Sequence, residues 1–199
     1  MLTQKKMKRK KHYVKSQHGY YCPLKISIVV SEDGQWAGSI QVTKENQYQL
    51  VKENFLTGKF VIFKYLHNVP AEAVILYEFK NIAMTGGLDK MVVIYNWSSG
   101  EVIKVLDIHV GPISSLFQIG NLAIIGETET LRFVDTCNDV EIKMILPVKS
   151  HCKYITCMQV AELDGQEEGE PQEVLLFGGS DSAKLNVMLI EEDLKGLFN

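Results

Sequence analysis

The chain has 199 residues, of which 46% are hydrophobic and 23% are charged, and its formal net charge is −3. This composition is typical of a soluble globular protein with a substantial core. No apolar run approaches the ~20 residues of a membrane-spanning helix, so we expect no membrane segment. Four irregularly spaced cysteines, and a lysine-rich start without a following apolar stretch, indicate a cytoplasmic or nuclear protein with reduced thiols.

The first 11 residues form a basic segment that contains no acidic residue. Its basic side chains are Lys5, Lys6, Lys8, Arg9, Lys10 and Lys11. Because a segment with this density of like charge cannot bury itself, we expect residues 1–11 to be a disordered tail. Two interpretations stay open: a nuclear-localisation or nucleic-acid-contacting segment, and a solvated arm without a partner.

Short apolar runs separated by Gly, Pro, Asn and Asp follow along the rest of the chain. The predicted strands of the first half are residues 25–30, 35–42, 48–52, 60–63, 74–77, 82–84 and 91–95. β-Branched and aromatic residues dominate these runs, which suits strands. In the clearest set, residues 56–96, no window keeps the apolar spacing of a helix without a Gly or Pro. We therefore predict antiparallel meanders of an all-β fold.

A histidine-bearing segment recurs at a fixed interval. His67, His109 and His151 are 42 residues apart, and a less regular copy begins near His18. An apolar run and a Gly-containing turn follow each of the three. Periods of roughly 40–45 residues with four strands each are typical of propeller blades.

This combination resembles the WD-repeat family. The segments TGK and SGE with their following histidines, the TGGLD turn at residues 85–89, and the closing pairs YN and VD match the repeat pattern of that family. The resemblance implies about four WD-repeat β-propeller blades, at approximately 12–55, 56–97, 98–136 and 137–190. Because a ring of this family usually needs about seven blades, we expect an incomplete propeller or one completed by a partner.

The resemblance also implies a buried hydrogen-bond relay within the repeats. Its members in the second repeat are His67, Thr85, Asp89 and Tyr95, the tyrosine standing where tryptophan is usual. The third repeat retains His109, and the fourth retains His151 and Asp181. A Ser/His/Asp-like catalytic trio is the competing interpretation. We reject it because Thr85 is predicted to lie inside a strand and these elements recur along the chain.

The function that the resemblance implies is a non-catalytic protein–protein interaction scaffold within a larger complex. We expect no metal, no cofactor and no small-molecule substrate. Partner proteins would contact the top rim, where the histidine-containing turns emerge, and another chain or further repeats would complete the propeller. The candidate rim residues are Asn68, Leu88, Lys90, Val110 and Glu129. The alternative is a nuclear RNA- or chromatin-associated subunit that binds nucleic acid through its basic tail.

Overall fold

The structure, a computed structural model, describes residues 28–107, 109, 111–119, 122–136, 142–147, 155–163, 172–179 and 182–189. These residues form β-strands and a single short 3-10 turn, Glu78–Lys80, and they contain no α-helix. The prediction of an all-β chain is therefore confirmed. The strands are β1 (Ile28–Val30), β2 (Trp36–Val42), β3 (Tyr48–Asn54), β4 (Phe60–His67), β5 (Ala71–Tyr77), β6 (Ile82–Gly87), β7 (Val92–Asn96), β8 (Val102–Leu106), β9 (Ser115–Ile119), β10 (Leu122–Glu127), β11 (Thr130–Asp135), β12 (Ile142–Pro147), β13 (Ile155–Leu163), β14 (Gln172–Gly179) and β15 (Ser182–Leu189).

The strands form four antiparallel sheets in chain order. The first sheet contains β1–β4, the second β5–β8, the third β9–β12 and the fourth β13–β15. The middle strands β7 and β10 are almost continuous apolar runs, VVIYN and LAIIGE, because both of their faces are buried. Tight turns connect strands within a sheet. In the turn after β3, the side-chain oxygen of Asn54 accepts hydrogen bonds from the backbone N–H groups of Leu56 and Thr57, and Gly58 adopts a positive φ of 68°.

The sheets are offset by one strand from the sequence repeats. The predicted blade ranges 56–97 and 98–136 group β4 with β5–β7 and β8 with β9–β11. In the structure, β4 pairs with β3 and β8 pairs with β7. The reason is that a tight turn joins β3 to β4, whereas the connection after His67 carries the chain into the next sheet. Each sequence repeat therefore begins with the last strand of the preceding sheet.

Three apolar layers hold consecutive sheets together. Each sheet has a front face, toward the following sheet, and a back face, toward the preceding one. Complete burial of one large apolar side chain contributes about 1.5–3 kcal/mol, so these layers are the main stabilising contacts between sheets. Representative buried residues are Leu50, Phe63, Val93 and Tyr95 between the first and second sheets; Met84, Ile94, Ile113 and Ile125 between the second and third; and Ile124, Phe133, Leu175 and Phe177 between the third and fourth.

The first strands of the four sheets lie beside one another. β5 lies beside β1 and β9, and β9 lies beside β13. Glycines allow this close approach, since a side chain at Gly86 would overlap Ile113, and one at Gly126 would crowd Ile155. The sheets therefore converge at the edges formed by their first strands.

A buried lysine lies between the first two sheets, at the turn that follows β7. The Nζ atom of Lys52 lies 4.9 Å and 4.7 Å from the ring centroids of Trp36 and Trp97. It donates hydrogen bonds to the backbone carbonyls of Trp97 and Ser98. Burial lowers the pKa of Lys52 below its ordinary value. The two indole faces and the two carbonyls replace much of the hydration that the ammonium group loses.

Candidate functional site

The structure places His67, Thr85, Asp89 and Tyr95 in one continuous chain of hydrogen bonds. His67 is the last residue of β4 in the first sheet, and the other three belong to the second sheet and its β6–β7 turn. The Nδ1 atom of His67 is 2.8 Å from an Asp89 carboxylate oxygen, and its Nε2 atom is 2.8 Å from the Thr85 hydroxyl. The Thr85 hydroxyl is in turn 3.2 Å from the Tyr95 hydroxyl. This relay joins the two sheets at the point where the chain crosses between them.

The relay is almost completely buried. The His67 side chain is 1% exposed and Asp89 is 16% exposed, and Thr85 and Tyr95 are fully buried. When the neutral imidazole carries its proton on Nδ1, the Asp89 carboxylate accepts from Nδ1–H, Nε2 accepts from the Thr85 hydroxyl, and the Thr85 oxygen accepts from the Tyr95 hydroxyl. Burial raises the pKa of Tyr95 well above its ordinary value, which keeps the phenol protonated as the terminal donor. Burial and the charge of Asp89 also raise the pKa of neighbouring Tyr65.

A different polar cluster occupies the next crossing between sheets. His109 follows β8, and its Nδ1 atom is 2.6 Å from a carboxylate oxygen of Glu127 at the end of β10. The guanidinium of Arg132 on β11 donates to the same carboxylate at 2.5 Å. Ile125 occupies the position that corresponds to Thr85, so the Nε2 atom of His109 is buried without a hydrogen-bond partner among the described residues.

The charge of Glu127 is stabilised inside the protein. Burial raises the pKa of Glu127, but hydrogen bonds from His109 and Arg132 and their electrostatic attraction outweigh that effect and hold the pKa at about 2. The sequence interpretation missed Glu127 and Arg132. The available signal was a carboxylate at the end of the apolar run LAIIGE, five residues before an arginine in the next strand. Glu127 and Arg132 form a buried ion pair, which explains why these two charged side chains can lie in the interior.

The rim candidates within the described residues lie in turns at the same end of the sheets as His67. Asn68 follows β4, Leu88 and Lys90 lie between β6 and β7, and Glu129 lies between β10 and β11. The backbone N–H of Leu88 donates to the carbonyl of Pro70 at 2.9 Å, which ties two of these turns together. Lys90 and Glu129 have similar positive φ angles, 66° and 57°.

The remaining predicted residues lie outside the described part of the chain. They are Val110 of the rim, His151 and Asp181 of the fourth repeat, and the tail residues Lys5, Lys6, Lys8, Arg9, Lys10 and Lys11. Within the described residues, no group of three His, Cys, Asp or Glu side chains could hold a metal ion. The same part of the chain has no helix with the length and apolar character needed to cross a membrane. No model of a known protein family matches the sequence, and no curated protein matches it.

Replacing Asp89 by alanine should destabilise the protein by about 1–3 kcal/mol, because the buried Nδ1–H of His67 loses its acceptor. The Asp89→Asn variant retains an acceptor oxygen and should lose less. Urea unfolding of the three proteins measures the difference. Equal unfolding midpoints for Asp89→Ala and the wild type would show that the relay does not contribute to stability.

Glu127→Gln should destabilise the protein on the order of 3 kcal/mol at neutral pH, since it leaves the buried Arg132 charge without its counter-ion. The folded-state pKa lies below the ordinary value of 4.5, so the contribution of the carboxylate is complete above 4.5 and is lost as the pH falls toward about 2. The difference between wild type and variant in urea unfolding should shrink over that interval. A difference that stays constant there would contradict the assignment.

Proposed function

We propose that this chain is a non-catalytic protein–protein interaction scaffold of the WD-repeat type. Its four sheets are the blades of an incomplete propeller, and its turns form a rigid docking rim. The observation that carries the proposal is the relay. His67 is the last residue of the first sheet, and its side chain makes hydrogen bonds to polar groups of the second sheet. His109 and Glu127 are placed in the same way between the second and third sheets.

The convergence of the first strands supports a radial arrangement. In a propeller, the inner strands of successive blades line a common centre, and each blade packs face to face on the next. The contacts of β5 with β1 and β9, and the three apolar layers between consecutive sheets, agree with this geometry. Glycines at equivalent positions, Gly86 and Gly126, allow the blades to approach near the centre.

The turns at the top rim are suited to holding a partner. Leu88 is 36% exposed, and Asn68, Lys90 and Glu129 are exposed as well. The hydrogen bond from Leu88 to Pro70, together with the left-handed backbone at Lys90 and Glu129, defines the turn conformations. A docking surface that is already ordered loses little conformational entropy on binding.

The burial of the histidine relay supports a structural role over a catalytic one. Thr85 is the only hydroxyl bonded to His67 among the described residues, and it is 0% exposed, so a substrate cannot reach it in this conformation. Its oxygen is also engaged with Tyr95. A nucleophile must have access to its substrate, and this hydroxyl is enclosed between two sheets.

The docking role is tested by a pair of matched double variants. Leu88→Ser with Lys90→Asn alters the top rim, and asparagine tolerates the left-handed backbone there. Leu56→Ser with Lys59→Asn removes the same side-chain types from the β3–β4 turn at the opposite end, where Leu56 is 77% exposed.

Proteins that co-purify with the tagged wild type from its own cells should bind the top-rim variant at least about tenfold more weakly and the control variant normally. Quantitative mass spectrometry followed by titration measures this. Full retention of these partners by the top-rim variant would refute the docking surface.

Binding of RNA through the basic tail is the second candidate function, favoured by six lysine or arginine residues within the first 11 positions. The test compares the full chain with a chain lacking residues 1–15 in a salt titration of RNA binding. Tail-dependent binding should weaken with salt, with a slope of log K against log salt no steeper than about −5. If both chains bind RNA equally or not at all at low salt, this candidate is eliminated.

A further inference from the structure

The ammonium group of Lys52 lies in a cage of two indole rings and two backbone carbonyls, here called the cation cage. The cage consists of the side chains of Trp36 and Trp97 and the carbonyl oxygens of Trp97 and Ser98. The Nζ atom lies 4.9 Å and 4.7 Å from the two ring centroids, and it donates hydrogen bonds to both carbonyls. Aromatic faces attract organic cations, and carbonyl oxygens accept hydrogen bonds from their N–H groups.

The fold does not require a cation at this position. Asn54 and Asn96 end the third strands of the first and second sheets, and the backbone carbonyl of each accepts a hydrogen bond from a glycine four residues later. Lys52 and Ile94 are therefore equivalent, since each stands two residues before that asparagine. Ile94 is 1% exposed in the apolar layer between the second and third sheets. An apolar side chain can thus fill this position in a packed sheet.

The ammonium group of Lys52 has no counter-ion in the described part of the chain. None of the ion pairs found there includes it. A buried cation without a carboxylate costs free energy relative to a well-packed apolar side chain. Residues that break such a rule of stability are expected mainly at functional sites. The lysine therefore calls for an explanation other than packing.

The cation cage is built from both sheets and lies beside an exposed turn. Gly38 on β2 allows the Trp97 ring to approach, since a Cβ atom at this glycine would lie 3.0 Å from the ring. Trp36 is half-buried, and Ser98 in the turn after β7 is exposed. A group from solvent can therefore reach the cage at this turn once the lysine side chain has left it.

We propose that the cation cage is a binding site for an alkylammonium group and that Lys52 is an internal plug that keeps it closed. An alkylammonium group supplies both the charge for the indole faces and N–H donors for the carbonyls. A lysine side chain of a partner and a free alkylamine both carry this group. Because a ligand must displace the plug, its affinity is reduced by the fraction of molecules whose cage is open. The cage lies at the opposite end of β7 from the rim residue Leu88, so the inference does not depend on docking at the rim.

Tryptophan fluorescence reports on the cage alone, because Trp36 and Trp97 are the only two tryptophans of the chain. Butylammonium reproduces the end of a lysine side chain, and 1-butanol is its uncharged counterpart. The Lys52→Ala variant, whose cage is open, should bind butylammonium at least about tenfold more tightly than the wild type does, and more tightly than it binds 1-butanol. Lys52→Met is the matched control. Its uncharged side chain of similar length fills the cage, so it should not bind butylammonium.

Each of the other outcomes of this titration would overturn the proposal. Equal affinities of the wild type and Lys52→Ala would show that the lysine does not close the site. Failure of folded Lys52→Ala to bind butylammonium, or equal binding of 1-butanol, would show that the cage does not recognise a cation. Binding by Lys52→Met would place the ligand elsewhere. Urea unfolding establishes beforehand that both variants are folded.

Displacement of the plug is measured in the unaltered protein by NMR. Because the Lys52 ammonium lies against two indole faces, ring currents should shift its ε-methylene signal away from the ordinary lysine position in lysine-labelled protein. Loss of that signal in Lys52→Met identifies it. Butylammonium should return the signal to the ordinary position. A signal that does not move at about 100 mM ligand would make Lys52 a fixed part of the core and would overturn the proposal, even if Lys52→Ala does not fold.

Two further ligands define the group that the cage binds. Nα-acetyl-lysine amide carries the cation on a peptide backbone. Tighter binding of this compound than of butylammonium would indicate a partner's lysine side chain as the source, and weaker binding would indicate a free amine. Tetramethylammonium has no N–H donor for the two carbonyls, so it should bind more weakly than butylammonium. Tighter binding of tetramethylammonium would contradict the assignment to an alkylammonium group with N–H donors.

Discussion

The imidazole of His67 is the group on which the arrangement of the first two sheets depends. It stands at the end of β4, and both of its nitrogens bond to groups of the second sheet. A buried imidazole with an unpaired nitrogen would lose the hydration of that atom without compensation, so the second sheet must supply an acceptor and a donor at defined positions. The apolar layer between the sheets provides most of the stabilisation, and the relay determines how the two surfaces align.

At the connection between the second and third sheets a buried histidine also bridges the two sheets, but its hydrogen-bond partner is different. At His109 the acceptor is Glu127, and the carboxylate also binds Arg132. Because Ile125 replaces the hydroxyl, the imidazole is anchored through one nitrogen alone among the described contacts. A buried ion pair adds directional contacts but gains little net stability over apolar packing, because both charges lose hydration. The two crossings therefore share a position in the fold while differing in the polar groups that bind the histidine.

The fold class was accessible from the sequence, and the boundaries of the sheets were not. Apolar runs rich in β-branched residues and a 42-residue recurrence of histidine predict an all-β chain. The pairing of β4 with β3 depends on the conformation of the turn at Asn54, which the repeat pattern does not encode. The role of Glu127 was hidden because a glutamate at a strand end usually faces solvent. Ile28 looks like a core residue in the sequence, and only the structure shows that it is 59% exposed.

A double-mutant cycle on His67 and Asp89 tests most directly whether the relay couples the two sheets. The exposed pair Lys64 and Glu101 also bridges β4 and the second sheet, and it serves as an internal comparison. Alanine variants of each pair, singly and together, give the coupling free energy from urea unfolding. The account predicts about 0.5–3 kcal/mol for His67 with Asp89 and a clearly smaller value for the exposed pair. A coupling near zero for His67 with Asp89 would contradict it.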